Sequence, residues 1–239
     1  NIKNHRVNTL NQKIYFLKKI KIDFLIIIHF NKIFSNISAE NFIKKILHNK
    51  LRCKYIFISK NFKFGKNRLG NIKVLKYFEK KYLYKSVVTT PYKKGNKIVS
   101  SSLIRKIIYK GRVQDAKKLL GRPWCVEGEV IKGDQRGRKI GFPTCNIKLN
   151  SYTLPKIGVY SVQVKINNIN QKGIANIGYR PTFNGKTLLL EVNIFGIKEN
   201  LYKKILKINF IKFIRAEKKF KNIKELKAQI KKDIISAKK

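Results

Sequence analysis

The sequence predicts two architectures in one chain: a parallel α/β sheet up to about Gly121, then an antiparallel β-barrel or sandwich closed by a helix. Three observations carry this. Up to Gly121, short apolar runs alternate with helical patterns, the signature of a parallel sheet with crossovers. Beyond the break Gly121-Arg-Pro123 the runs are short and β-rich, separated by Gly, Pro and Asn turns with no helical period between them. The tail 222–239 returns to helical spacing. The domains are therefore expected at residues 1–121 and 122–239.

In chain order, residues 11–20 read as a short helix. Asp23–Phe30, all apolar after its first residue apart from His29, reads as a buried strand and is far too short to span a bilayer. Ser38 caps a helix whose apolar stripe is Phe42, Ile43, Ile46 and Leu47. KYIFIS (54–59) reads as another buried strand and SVVTT (86–90) as a third. Between them lies NFKFGKNRLGN (61–71), a glycine-rich basic loop beyond a strand's carboxyl end, where open α/β sheets bind ligands. VSSSLIRKIIYKG (99–111) is a helix with N-cap hydroxyls at Ser100–Ser102, a stop at Gly111 and Arg105 one turn inside an anion-friendly N-terminus. VQDAKKLLG (113–121) is a short helix that ends the first region.

WCVEGEVI, CNIKL, GVYSVQVKI, KGIANIG, TLLLEVNIF and ILKINFIKF are the strands of the second region. In the tail, Asn222 is the N-cap with Glu225 three residues on, a capping-box variant. Ile223, Leu226, Ile230 and Ile234 form the face that packs on the barrel.

The 239 residues are 43% hydrophobic and 11% aromatic, as in a folded globular protein. Lys+Arg 56 against Asp+Glu 12 gives a formal charge of +44. That charge raises a nucleic-acid-binding module as a competing class. The cations, mostly lysine, are spread over nearly every segment, so the charge reads as compositional drift and no specific nucleic-acid partner is expected. Three isolated cysteines (Cys53, Cys125, Cys145) fit a reducing cytoplasm better than a disulfide framework. With His5, His29 and His48 equally scattered, they build no metal cluster. No signal peptide is expected. The chain contains no Met, so its true start is expected to lie upstream of Asn1.

The most informative stretch is GDQRGRKIGFPTCN (133–146). Gly133, Gly137 and Gly141 allow sharp turns and close backbone approach to a ligand. Arg136, Arg138 and Lys139 add positive charge, and turn N–H groups beside cations suit phosphate oxygens. If a strand follows, period 2 puts Thr144 and Asn146 on one face. A hydroxyl and an amide oxygen side by side are hard donors of the kind Mg²⁺ accepts. Downstream, Glu191 is the lone acid of an apolar strand, with Asn193 on its face. A buried carboxylate must pair with a cation or face a solvent-filled site. On the residues alone, a lysine salt bridge and a catalytic base both remain open. Phosphoryl transfer needs these parts: neutralised phosphates, a metal and a base for the hydroxyl proton. Neither GxxxxGK[ST] nor a strand-linked GxGxxG is present.

The ordered blocks NFKFG, VSSSLIR, LLGRPW, GDQRGRKIGFPTCN, GVY, ANIGYRPTF, LEVNIF and IRAEKKF resemble, over essentially the whole chain, the bacterial bifunctional riboflavin kinase/FMN adenylyltransferases (FAD synthetases). The resemblance implies a nucleotidyltransferase α/β domain joined to a six-stranded antiparallel β-barrel kinase with a C-terminal helix. It implies that Thr144 and Asn146 hold Mg²⁺ and ATP and that the 133–141 loop (Gly133, Gly137, Arg138, Lys139, Gly141) covers the nucleotide phosphates. It also implies that Glu191 takes the proton of the riboflavin 5′-hydroxyl and that Arg215 lies at the flavin side. Riboflavin, FMN and ATP are the implied ligands, with ATP as both phosphate and adenylyl donor.

Asn61, Ser101 and Arg105 match auxiliary positions of the adenylyltransferase site. The family's GxFDGxHxGH segment, whose histidines stabilise the phosphates in adenylyl transfer, has no counterpart here. Residues 1–239 are therefore expected to make FMN and not FAD, the first domain being N-terminally incomplete. Smaller departures stand where the family usually has His (Asn193), Asp (near Gly196), Gly (near Lys203) and an acidic residue (Ala216). They imply weakened flavin or ADP affinity rather than lost chemistry. A folded but decayed relative is the remaining alternative, and the intact Thr-x-Asn pair and Glu191 weigh against it.

Overall fold

The computed structural model describes residues 5–149, 152–166, 169–182, 185–197 and 199–239. Two compact units form: residues 1–21 together with 100–239, and residues 22–99. Helix α1 (Leu10–Lys19) belongs to the first. Thr9 and Gln12 build its capping box: Thr9 Oγ1 accepts from Gln12 N–H, and Gln12 Oε1 accepts from Thr9 N–H.

In the 22–99 unit, Asn31 caps α2 (Lys32–Ser35). Ser38 caps α3 (Ala39–Asn41), which runs directly into a π-helical segment, Phe42–Lys50. Next come β1 (Tyr55–Ser59), α4 (Ile72–Tyr77), α5 (Glu79–Tyr82) and β2 (Lys85–Thr89). The hairpin β3 (Lys93–Lys94) and β4 (Lys97–Ile98) follows. β1 and β2 pair in parallel, Tyr55 opposite Lys85, as the alternation of strand and helix requires. Ile43, Ile58, Leu75, Tyr82 and Tyr84 form the core of this unit.

Two expectations need correction here. Asp23–Phe30 forms no strand: among the described residues it has no ladder partner, and β1 pairs only with β2. An apolar run records a preference for burial, but a strand also needs a neighbouring edge for its N–H and C=O groups. Phe24 is 88% exposed and Phe30 75%. The 54–59 strand is half-buried rather than buried, because one face of a two-stranded sheet is left uncovered: Ile58 points into the core while Tyr55 and Phe57 are exposed.

In the larger unit, Ser100 caps α6 (Ser101–Tyr109), and α7 (Val113–Leu120) ends at Gly121 in the left-handed region. Then come β5 (Cys125–Ile131), the one-turn α8 (Arg136–Lys139), β6 (Cys145–Lys148), β7 (Gly158–Ile166), β8 (Ile169–Thr182), β9 (Gly185–Ile194), β10 (Ile205–Arg215) and α9 (Ile223–Lys238). The six strands close into an antiparallel barrel in the order β10-β5-β6-β9-β8-β7. Closure leaves no strand edge to protect. Phe183 of the ANIGYRPTF block lies outside the described residues.

Trp124, Tyr160 and Phe210 pack together in the core, with ring centroids 4.8 Å apart for Trp124–Phe210 and 5.2 Å for Tyr160–Phe210. The N-terminal segment is bonded to this barrel. Trp124 Nε1 donates to Val7 O at 3.0 Å, and buried Gln12 donates from Nε2 to Cys125 O at 3.4 Å. The Arg122 guanidinium stacks 3.7 Å from the Phe16 ring centre. Helix α9 packs on β7, β8 and β10 through Leu226, Ile230, Ile234 and Ala237. Ile223, expected on that face, is 60% exposed because it opens the helix beyond the edge of the contact. No helix among the described residues is long and apolar enough to cross a membrane.

Candidate functional site

Strand register builds the site. Asn146 on β6 stands opposite Glu191 on β9, Glu191 opposite Asn176 on β8, Asn176 opposite Val159 on β7, and Val159 opposite Arg215 on β10. Directly opposed residues share a face of the sheet, with Cβ atoms roughly 5 Å apart in each pair. One row across five strands thus carries an amide, a carboxylate, a second amide and, past one valine, a guanidinium. Glu191 is flanked in this row by two amides rather than by lysines.

The row borders a cavity of about 510 Å³ lined by Gly137, Phe142, Thr144, Asn176, Glu191, Asn193 and Arg215, with Leu226, Ile230 and Asp233 of α9 on another wall. A second cavity of about 270 Å³ is lined by Arg138, Thr144, Cys145, Val192, Glu199 and Tyr202 among others. Thr144 lines both.

The 133–143 loop covers this junction. Only Gly141 of its three glycines needs the left-handed region, at φ 88°. Gly133 and Gly137 are required for close approach to the chain itself. A Cβ on Gly133 would lie 2.2 Å from Asn146 Nδ2, and one on Gly137 2.4 Å from Phe142 O. The loop is pinned at its base, where Asn193 Nδ2 donates to Pro143 O at 2.6 Å. Higher up, Gln135 Nε2 donates to the Tyr202 hydroxyl at 3.4 Å.

Asn146 is 5% exposed, and its Oδ1 is a buried oxygen with no hydrogen-bond partner among the described residues. Such an atom costs free energy unless something else satisfies it. Together with the Thr144 hydroxyl it offers two hard oxygens, a donor set that fits Mg²⁺. Cys145 between them does not compete, since burial pushes its thiol up and away from the thiolate form. No group of three or more His, Cys, Asp or Glu among the described residues is placed to hold a metal.

The candidate residues do not all converge. Gly137, Thr144, Glu191 and Arg215 line the larger cavity, Arg138 and Thr144 the smaller, and Gly133 backs Asn146. Lys139 is exposed and, like Gly141, lines neither. Asn61 is exposed just after β1 in the 22–99 unit, whereas Ser101 and Arg105 belong to the larger unit. Arg105 donates to Ser102 Oγ at 3.1 Å and to His5 O at 3.3 Å, and Ser100 rather than Ser101 caps the helix.

Three residues were missed by sequence reasoning: Asn176, Asp233 and Gln229. Asp233 left a readable signal, because it sits on the stripe of Leu226, Ile230 and Ala237, where an acid is costly without a partner. Asn176 is, like Glu191, a polar residue inside an apolar strand.

Comparison with known proteins agrees with this architecture. The riboflavin kinase family model matches residues 120–239 and the FAD synthetase model residues 1–103. The bifunctional riboflavin kinase/FMN adenylyltransferase of Buchnera aphidicola subsp. Schizaphis graminum is 41% identical over 98% of this chain and 76% of its own length. Its counterpart in Haemophilus influenzae is 38% identical over 98% and 76%. That of Escherichia coli K12 is 34% identical over 97% and 74%. A crystal structure described as a macrolide-efflux protein from Streptococcus pneumoniae superposes with a TM-score of 0.87 at 28% identity, covering 97% of this chain and 75% of that one. That likeness shows a shared fold, and the efflux description is that protein's own. With a six-stranded closed barrel, both family matches and these relatives at 34%, 38% and 41% identity, the chain belongs to the bifunctional riboflavin kinase/FMN adenylyltransferase family.

Proposed function

We propose that this chain phosphorylates riboflavin to FMN with ATP, at the junction of the two barrel cavities. The observation that carries the reading is the pairing of Asn146, with its unsatisfied buried oxygen, opposite Glu191, beside the Thr144 shared by both cavities. In this reading ATP occupies the smaller cavity, with its phosphates under the 133–141 loop and Arg138 beside them. Riboflavin occupies the larger, with Arg215 at its flavin side. Thr144 and Asn146 would hold Mg²⁺, which would supply charge neutralisation on the transferring phosphates.

Glu191 accepts the proton of the riboflavin 5′-hydroxyl while that oxygen forms its bond to the γ-phosphorus. The bond from that phosphorus to the β–γ bridging oxygen breaks, and ADP leaves with the electron pair. Asn176 and Asn146 on either side keep Glu191 in a polar row. The 133–143 loop, fixed by Asn193, keeps water from competing with the hydroxyl.

We further assign the kinase domain to residues 122–239 and the adenylyltransferase domain to residues 1–121. Asn61, Ser101 and Arg105 are auxiliary positions of the latter. A cytoplasmic location fits the three free cysteines. Incubation with riboflavin, ATP and Mg²⁺, followed by chromatography separating FMN from FAD, tests the kinase reading, and absence of FMN would overturn it.

A further inference from the structure

The guanidinium of Arg215 is held on three sides. Its Nε donates to both oxygens of Asp233 at 3.0 Å, and its Nη2 to Asp233 Oδ2 at 2.7 Å. Its Nη1 donates to Ala216 O at 3.0 Å, and the Phe220 ring lies 5.8 Å from its central carbon. The acid is itself fixed, because Gln229 Nε2 donates to Asp233 Oδ1 at 2.9 Å. Its side chain is 3% exposed against 22% for Arg215.

A guanidinium carries five N–H groups in a rigid plane. Among the described residues, one each on Nε, Nη1 and Nη2 is engaged, which leaves a donor on each terminal nitrogen. Locking one edge of the fork fixes the direction of those two. Both Arg215 and Asp233 line the larger cavity.

We propose that Asp233 is a positioning residue for substrate binding: from α9 it aims the remaining donors of Arg215 into the larger cavity, which makes the C-terminal helix part of the flavin-side binding machinery. The inference rests on the reading that riboflavin occupies that cavity. A merely structural salt bridge would dock α9 and nothing more. Orientation of a ligand-binding fork predicts instead a selective loss of one substrate.

The test is steady-state kinetics with each substrate varied separately, on the full 239-residue chain and four variants: Arg215→Met, Asp233→Asn, Asp233→Glu, and Arg215→Met with Asp233→Leu. Asp233→Asn is expected to raise KM for riboflavin roughly ten- to a hundredfold, the scale of a misplaced binding group, with KM for ATP unchanged. Asp233→Glu keeps the charge but moves the fork, so its riboflavin KM should fall between wild type and Asp233→Asn.

Removing one partner of a buried pair can unfold a protein. The apolar double variant avoids that, and it should match Arg215→Met alone in riboflavin KM. The inference is overturned if Arg215→Met raises riboflavin KM while Asp233→Asn and Asp233→Glu leave it unchanged, or if the two substrates' KM values rise together. It is also overturned if the double variant is clearly worse than Arg215→Met. Should Arg215→Met itself leave riboflavin KM unchanged, the reading of Arg215 at the flavin side fails, a different result from failure of Asp233 alone.

Discussion

Asn146 on β6 and Glu191 on β9 are directly opposed in register, and the amide oxygen of the first is buried without a hydrogen-bond partner among the described residues. Ladder pairing thus brings the proposed metal oxygen and the proposed base side by side, although 44 residues of sequence lie between them. The barrel's hydrogen bonds, rather than a flexible loop, set that spacing. Strand-borne groups are held more precisely than loop-borne ones.

Glu191→Gln keeps the shape of the side chain and removes its ability to take a proton. Turnover is expected to fall by about 10²–10⁴-fold, the range for loss of a general base. Riboflavin and ATP binding, measured by flavin fluorescence titration and equilibrium dialysis, should change little. A variant retaining turnover within a few-fold of wild type would remove Glu191 from this role.

Gly133→Ala tests the oxygen pair without touching either oxygen. Its Cβ would overlap Asn146 Nδ2 at 2.2 Å and Cγ at 2.7 Å, so Asn146 must move. The Mg²⁺ concentration giving half-maximal rate should rise several-fold, as it should for Asn146→Ala. Combining Gly133→Ala with Asn146→Ala should be no worse than Asn146→Ala alone, because the clash disappears with the side chain. Additive losses would mean that Gly133 serves the phosphates directly.

Much of this was legible in the sequence, and what was not has a common cause. Each barrel strand announced itself as a short β-rich run between turn residues, Thr144 and Asn146 were visible as paired oxygens after a glycine-rich loop, and Glu191 as the lone acid of an apolar strand. Their convergence was not legible, because register depends on turn lengths and bulges far from the residues concerned. Asp23–Phe30 shows the opposite failure. Its apolarity was plain, but whether an extended run becomes a strand depends on an edge elsewhere in the chain. Asp233 lay on an apolar helical stripe, and its contacts with Arg215 and Gln229 explain why an acid is tolerated there.

The bonds from residues 7–16 to the barrel predict that kinase stability depends on the N-terminal segment. Gln12→Leu removes the donor to Cys125 O and the reciprocal half of the α1 capping box. A loss of about 1–2 kcal/mol is expected, read as a fall of a few degrees in the midpoint of thermal unfolding. A midpoint within a degree of wild type would show that the Gln12 bonds contribute nothing to the barrel's stability.

Alkaline unfolding offers a check on the core around Tyr152, which is 2% exposed and whose hydroxyl accepts from Glu127 N–H at 3.0 Å. Burial pushes its pKa up to about 12 from the ordinary 10.0. The raised value means that the folded state holds the phenolic proton where the unfolded state has released it. Its contribution to stability is therefore complete below pH 10 and is lost as pH rises towards 12. The urea midpoint should fall steadily across that window. Lysines deprotonate over the same range, so the discriminating measurement is the slope in Tyr152→Phe. That variant leaves the Glu127 N–H unpaired and should be less stable at every pH, yet its stability should decline less steeply between pH 10 and 12. Parallel curves for the two proteins would show that Tyr152 ionises as freely in the folded chain as in the unfolded one.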